Sequence, residues 1–308
     1  MKTTLKIIFI TLGLVCWFSF MAWAMLPGWQ KPVLGTMLNR SHPLAQGLVG
    51  CWVMNEVSGG IINDCSGNGN TGTFNSVTWS VSEHGIGTFY GDRTQDFYIS
   101  FTSDQLVNLP VTKNLSIVAR FLSTSPGLSG EPLVTWGGTD DLLFYPNDGA
   151  TGDGGLRLFW RDAGSSQISY AGPDLNGIWT HVAYTATIGR QAGYQDGVLI
   201  GTNTNDLSGA GPFTSFRIGS WADAAQEYGG HVTYIYIYNR ALTQTEVQSL
   251  YREPYQMFAR PSVARRFAPG AAAADEPVKI APKLMIMGML KNLNPWADDY
   301  EDKKVINQ

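Results

Sequence analysis

The chain has 308 residues, a formal net charge of −4, 15% charged and 12% aromatic residues, and 35 glycines. The acidic balance excludes a nucleic-acid binder, which needs a basic face to neutralise phosphates, and no single-sign charge block of useful length is present. Few charges, many aromatics and frequent glycine are the composition of short strands joined by many turns, and one β-sandwich of about 200–250 residues would use most of the length.

The first segment reads as an export signal. Lys2 and Lys6 form a basic start, Ile7 to Met21 is apolar, and Ala22-Trp23-Ala24 has the small-x-small form of a cleavage site. Residues 1–24 are therefore expected to be a signal peptide, the alternative being an uncleaved anchor, since Ile7 to Leu26 is long enough to span a bilayer. Residues 25–43, with Pro27, Pro32 and Pro43, read as a linker. Cleavage removes Cys16 and leaves Cys51 and Cys65, fourteen positions apart. In an oxidising compartment they would close a disulfide contributing about 3 kcal/mol; the alternative is two small buried thiols.

From residue 44 to 258 the pattern is that of strands. Leu115 to Phe121, Leu156 to Trp160 and Trp179 to Thr185 alternate in whole or part, and Val232 to Tyr238 is the strongest strand signal in the chain. Asp196-Gly197 between apolar flanks predicts a two-residue hairpin. Thr243-Gln244-Thr245-Glu246 is a capping box opening a short helix whose stripe is Val247, Leu250 and Tyr251, with Pro254 ending it. Strands without intervening long helices predict an all-β, antiparallel two-sheet jelly-roll sandwich with one short C-terminal capping helix. Residues 259–308 read as a low-order tail, in which Leu284 to Leu290 is apolar.

Five segments, in order, resemble the laminin G-like, concanavalin A-like jelly-roll family. They are Gly47 to Glu56, the Asp64-Cys65-Ser66-Gly67-Asn68-Gly69-Asn70 loop, Trp179-Thr180-His181-Val182-Ala183, the Asp196-Gly197 hairpin, and Ile237-Tyr238-Asn239-Arg240-Ala241-Leu242-Thr243. The resemblance implies two stacked sheets with the final strand returning beside the first. Trp52 and Trp179 are expected to fill the core, and Asn239-Arg240 to form a hydrogen-bonded corner holding the helix.

Asp64, Asn68 and Asn70 offer side-chain oxygens suited to Ca²⁺, and relatives often place calcium between this loop and an acid on the last long strand. Here Thr233 or Tyr234 stands where that acid is expected, which removes charge; the alternative is an Asx-turn in which Asp64 bonds its own loop. Trp136, Trp160, Tyr170 and Trp221 lie on or beside loops and strand ends, where flat rings stack on sugars; against this, half of the strand aromatics in a sandwich face the core. Glycosidases on this fold need paired carboxylates. No E-x-D-x-x-E strand is present, Asp140, Asp141 and Asp223 sit in loops, and the four histidines are scattered, so no catalysis is expected. The expected function is a secreted or cell-surface module recognising a glycan or another extracellular ligand, touching membrane only through an uncleaved N-terminal segment. The alternatives are a structural or adhesive surface or virion component and, last, a glycoside hydrolase.

Overall fold

The computed structural model describes residues 30–81, 87–92, 97–124, 131–138, 141–146, 155–161, 167–171, 175–204, 212–221 and 227–258. The chain divides into a unit Met1–Ser262, to which all of these belong, and a unit Val263–Gln308. The signal segment, the tail and its Leu284 to Leu290 stretch lie outside the described residues.

The strands in chain order are β1 (Leu48–Trp52), β2 (Ile61–Ile62), β3 (Gly72–Asn75), β4 (Thr78–Val81), β5 (Gly87–Asp92), β6 (Tyr98–Phe101), β7 (Leu115–Ser123) and β8 (Val134–Gly138). They continue as β9 (Asp141–Tyr145), β10 (Gly155–Arg161), β11 (Gln167–Ala171), β12 (Thr180–Thr187), β13 (Arg190–Gln195), β14 (Val198–Asn203), β15 (Phe213–Ile218) and β16 (Gly229–Tyr238). The first sheet runs β14-β13-β12-β7-β16-β5-β4, with β1 also on β16; the second runs β11-β10-β9-β8-β15-β6-β3-β2. The last long strand does return beside the first, Gly50 opposite Ile237 and Trp52 opposite Ile235. The fold is the expected antiparallel jelly-roll sandwich, and among the described residues its one helix longer than a single turn is Gln244–Arg252.

Two apolar clusters hold this arrangement. Between the sheets lie Trp52, Phe89, Phe101, Ile117, Phe121, Trp136, Phe144, Tyr184, Phe216, Ile235 and Ile237. On the outer face of the first sheet a second cluster joins Cys51, Val118, Ala183, Tyr194, Tyr234, Tyr236 and Tyr238 to Val247 and Leu250 of the helix and to Tyr255, Met257 and Phe258 beyond it. β16 is thus buried on both faces, with Ile235 and Ile237 in the sandwich and Tyr234, Tyr236 and Tyr238 in the outer cluster. A strand covered on both sides reads as a continuous apolar run, which is why Val232 to Tyr238 stands out in the sequence.

The turn chemistry follows the residues. Asp196 and Gly197 both take positive φ, 48° and 77°, as a type I′ hairpin requires. The capping box is complete, and Glu246 also receives Arg240, whose Nη2 and Nη1 lie 2.7 and 3.0 Å from its carboxylate. Arg240 Nε donates to the Gln46 carbonyl at 2.8 Å, so the Asn239-Arg240 corner does hold the helix.

Within the expected linker of residues 25–43, the described part, 30–43, makes contacts with the sandwich: Leu38 bridges Phe258, Asn39 N–H donates to the Met257 carbonyl, and Asn55 donates to the Pro32 carbonyl. Two expectations are corrected. Trp52 fills the core, with its indole N–H on the Asn70 carbonyl at 2.9 Å, but Trp179 does not; it is only partly buried on the outer face of the first sheet. Its parity explains this, because Val182 and Tyr184 point into the sandwich and odd-numbered residues of the segment point out. Cys51 and Cys65 are free thiols rather than a disulfide. The two are joined by a backbone bond, Cys65 N–H to the Cys51 carbonyl at 2.7 Å, and by a thiol hydrogen bond that with burial pushes the Cys51 thiol up.

Candidate functional site

The Asp64 loop tests the calcium expectation directly. Asp64 Oδ1 accepts the N–H groups of Cys51 and Ser66 at 3.0 and 2.8 Å; Oδ2 accepts the Ser66 hydroxyl and the Asn70 N–H at 2.7 and 2.9 Å. Four donors occupy the carboxylate, leaving it little capacity for a cation. The Asn68 amide donates to the Leu48 and Val49 carbonyls, and the Asn70 amide to Val49. Gly67 and Gly69 supply the positive φ values of 83° and 79° that curl the loop around Asp64. Among the described residues no group of three or more His, Cys, Asp or Glu is placed to hold a metal. Thr233 bonds the Arg120 carbonyl and Tyr234 is buried, so neither supplies the missing acid. These residues do not fit calcium. They form an extended Asx-turn that sews the loop to β1.

The four aromatic candidates separate. Trp136 is fully buried in the core, its indole N–H on the Leu106 carbonyl at 2.7 Å and its ring 5.0 Å from Phe216, and it cannot stack on a sugar. Alternation in Val134-Thr135-Trp136 was the available signal, since Val134 and Trp136 share the core face. Trp160 pairs in register with Leu142 and Tyr170 with Leu156; their side chains lie outside the described set.

Trp221 lies just past β15, partly exposed, and is pinned at its edge. Its indole N–H donates to Asp141 Oδ2 at 2.8 Å, while Asp141 Oδ1 accepts the Gly138 N–H at 3.1 Å. Arg217 Nη1 reaches the Trp221 carbonyl at 3.4 Å, and its guanidinium lies 4.5 Å from the centre of the Tyr98 ring. Phe216 and Ile218 face the core, so the intervening Arg217 faces outward, level with Ser100 of β6. Tyr98, Arg217, Asp141 and Trp221 thus share the outer side of the second sheet. Rings beside fixed hydrogen-bonding groups suit a ligand with an apolar face and hydroxyl edges. Reading by residue type had found Trp221 but not Tyr98 or Arg217, which only strand pairing brings together.

The histidine of the W-x-H-V-A segment is structural. His181 is fully buried, its rings of contact being Tyr251 at 5.6 Å and Tyr234 at 6.4 Å, and neither ring nitrogen has a hydrogen-bond partner among the described residues. Burial, then the Arg120 charge, pulls it down to about 3, so it stays neutral.

Residues 92–248, half of the chain, match the profile of the concanavalin A-like lectin/glucanases superfamily. The chain belongs to this family. Among solved structures, domain 4 of the extracellular arabinanase AbnA from Geobacillus stearothermophilus, in complex with arabinotriose, aligns with TM-score 0.51 and 18% identity over 66% of this chain and 98% of that one. The binding domain of Paraclostridial mosquitocidal protein 1 aligns with TM-score 0.53 and 15% identity over 69% of this chain and 53% of that one. Trypanosoma rangeli sialidase aligns with TM-score 0.50 and 18% identity over 68% of this chain and 33% of that one. The described sandwich thus spans about half of the second neighbour and a third of the third, and at these identities the shared property is the fold. No curated protein sequence matches the chain.

Proposed function

We propose that the protein is a non-catalytic, extracellular carbohydrate-binding module, with its ligand on the outer side of the second sheet. The observation that carries this reading is the Trp221 group: a partly exposed indole held by Asp141, beside an Arg217–Tyr98 stack. The family and the arabinotriose complex of domain 4 of a neighbour support a sugar as the ligand class. A non-catalytic role is supported by the use of five of the described carboxylates. Asp64, Asp141, Asp196, Glu227 and Glu246 each accept hydrogen bonds from the protein's own backbone.

The test is affinity electrophoresis through gels containing arabinan, xylan or mixed-linkage β-glucan, with product analysis after long incubation. Retardation without product release is expected. Trp221→Ala should weaken binding about tenfold while leaving the thermal midpoint close to wild type, because the ring is at the surface. Reducing sugar released at a steady rate would replace the module with a hydrolase, and an absence of retardation in every gel would remove the glycan reading altogether.

A further inference from the structure

The cover on the outer face of the first sheet ends at Arg120. On one side of that residue the helix and residues 253–258 bury Tyr234 and Tyr236. On the other side the face is only partly buried, and its side chains form a row across neighbouring strands. Tyr90 on β5 stands opposite His231 on β16, His231 stands opposite Leu122 on β7, and Trp179 immediately precedes β12, whose Thr180 pairs with Phe121. The Tyr90 and His231 rings are 4.7 Å apart, His231 and Trp179 6.2 Å, and Arg120 lies 5.7 Å from the centre of the Trp179 ring.

Two features make this more than an unpartnered face. The first is hydrogen-bonding capacity. His231 Nδ1 is engaged by the Thr88 hydroxyl at 3.2 Å, which fixes the ring, but none of the described residues bonds His231 Nε2, the Trp179 indole N–H or the Tyr90 hydroxyl. A donor, an imidazole nitrogen and a hydroxyl therefore edge one strip of ring surface. The second is charge. Tyr90, His231 and Trp179 carry no formal negative charge, partial burial lowers the His231 pKa and so favours its neutral form, and the Arg120 guanidinium is already stacked on Trp179. That combination complements an uncharged ligand with apolar faces and hydroxyl edges, repeated along its length.

We infer that Tyr90, His231 and Trp179 form a second carbohydrate platform, on the sheet opposite Trp221, taking a neutral oligosaccharide laid across the strands. Strands are spaced about 4.8 Å apart, so the row is long enough for more than one sugar ring. Trp179 stacks on one ring, Tyr90 on the next, and the free polar tips take hydroxyl groups. A peptide added to a sheet edge would use backbone groups, whereas this strip is a face.

The experiment uses the full chain and the same neutral polysaccharide gels, with Trp179→Ala, Tyr90→Ala, Trp221→Ala and the Trp179→Ala/Trp221→Ala double variant, each checked for a native circular dichroism spectrum and cooperative melt. Trp179→Ala and Tyr90→Ala are each expected to weaken binding about tenfold, and the Trp179→Ala/Trp221→Ala double variant to lose retardation. Should Trp179→Ala misfold, Tyr90→Ala carries the same test. Binding abolished by Trp221→Ala alone would overturn the second platform and leave the proposed function standing. Binding lost through Trp179→Ala and untouched by Trp221→Ala would do the reverse to the Trp221 site. Tight binding of a polyproline peptide, with no polysaccharide retained, would overturn both sugar sites in favour of a protein ligand.

Discussion

At the scale of single residues, the informative side chains are polar groups enclosed by aromatic ones. His181 takes no proton in the folded state until about pH 3, whereas the unfolded chain takes it near the ordinary value of 6.5. Its contribution is therefore fully present above about pH 6.5 and is lost as the pH falls toward 3, by up to about 1.4 kcal/mol for each pH unit. His181→Phe should remove that component: urea unfolding at pH 7 and pH 4.5 would give a smaller difference than wild type, and an equal difference would show that other groups set the acid limit. The residues also explain what sequence could and could not say. Trp136 and Trp221 look alike as letters, and period-two parity with Val134 was enough to bury the first. Parity likewise turned Trp179 outward against expectation. The partners of Trp221 were unreadable, because Asp141, Arg217 and Tyr98 come from three strands whose pairing is non-local.

At the scale of elements, local chemistry was the most readable level. The capping box, the Asp196-Gly197 turn and the β16 run depend on neighbours in the chain, and each appears where its residues predict. The Asp64 loop was readable only as a choice between a cation cage and an Asx-turn, since both need the same residue types. The decision came from the donors of β1 and the loop backbone filling the carboxylate. In the helix, Thr243 Oγ1 accepts the Glu246 N–H, and Glu246 in turn holds Thr243 N–H and Arg240. Thr243→Ala should cost about 1 kcal/mol in denaturant unfolding, the usual magnitude for a lost N-cap. A loss far below that would mean that Arg240 alone keeps Glu246 and the helix in place.

At the scale of the whole molecule, the sandwich has two apolar layers to maintain rather than one. Leu250 is fully buried between the helix and the tyrosines of β16. Leu250→Ala should therefore destabilise by about 2–5 kcal/mol, as an interior leucine does, although it sits outside the space between the sheets. A thermal midpoint shift no larger than that of a surface substitution would reduce the helix to an accessory. This outer layer escaped a reading of the chain in order, because it is assembled from residues near 38–53, 118, 183–194 and 234–258, brought together only when β1 and β7 pair with β16 and β12 and β13 follow.

The antiparallel bridge between Leu38 and Phe258 also fixes how the sandwich is mounted. Two antiparallel segments that meet there enter and leave on the same side. These two segments open and close the stretch of described residues, so a single seam joins its two ends. Pulling the two segments apart would load this seam before it reached either sheet.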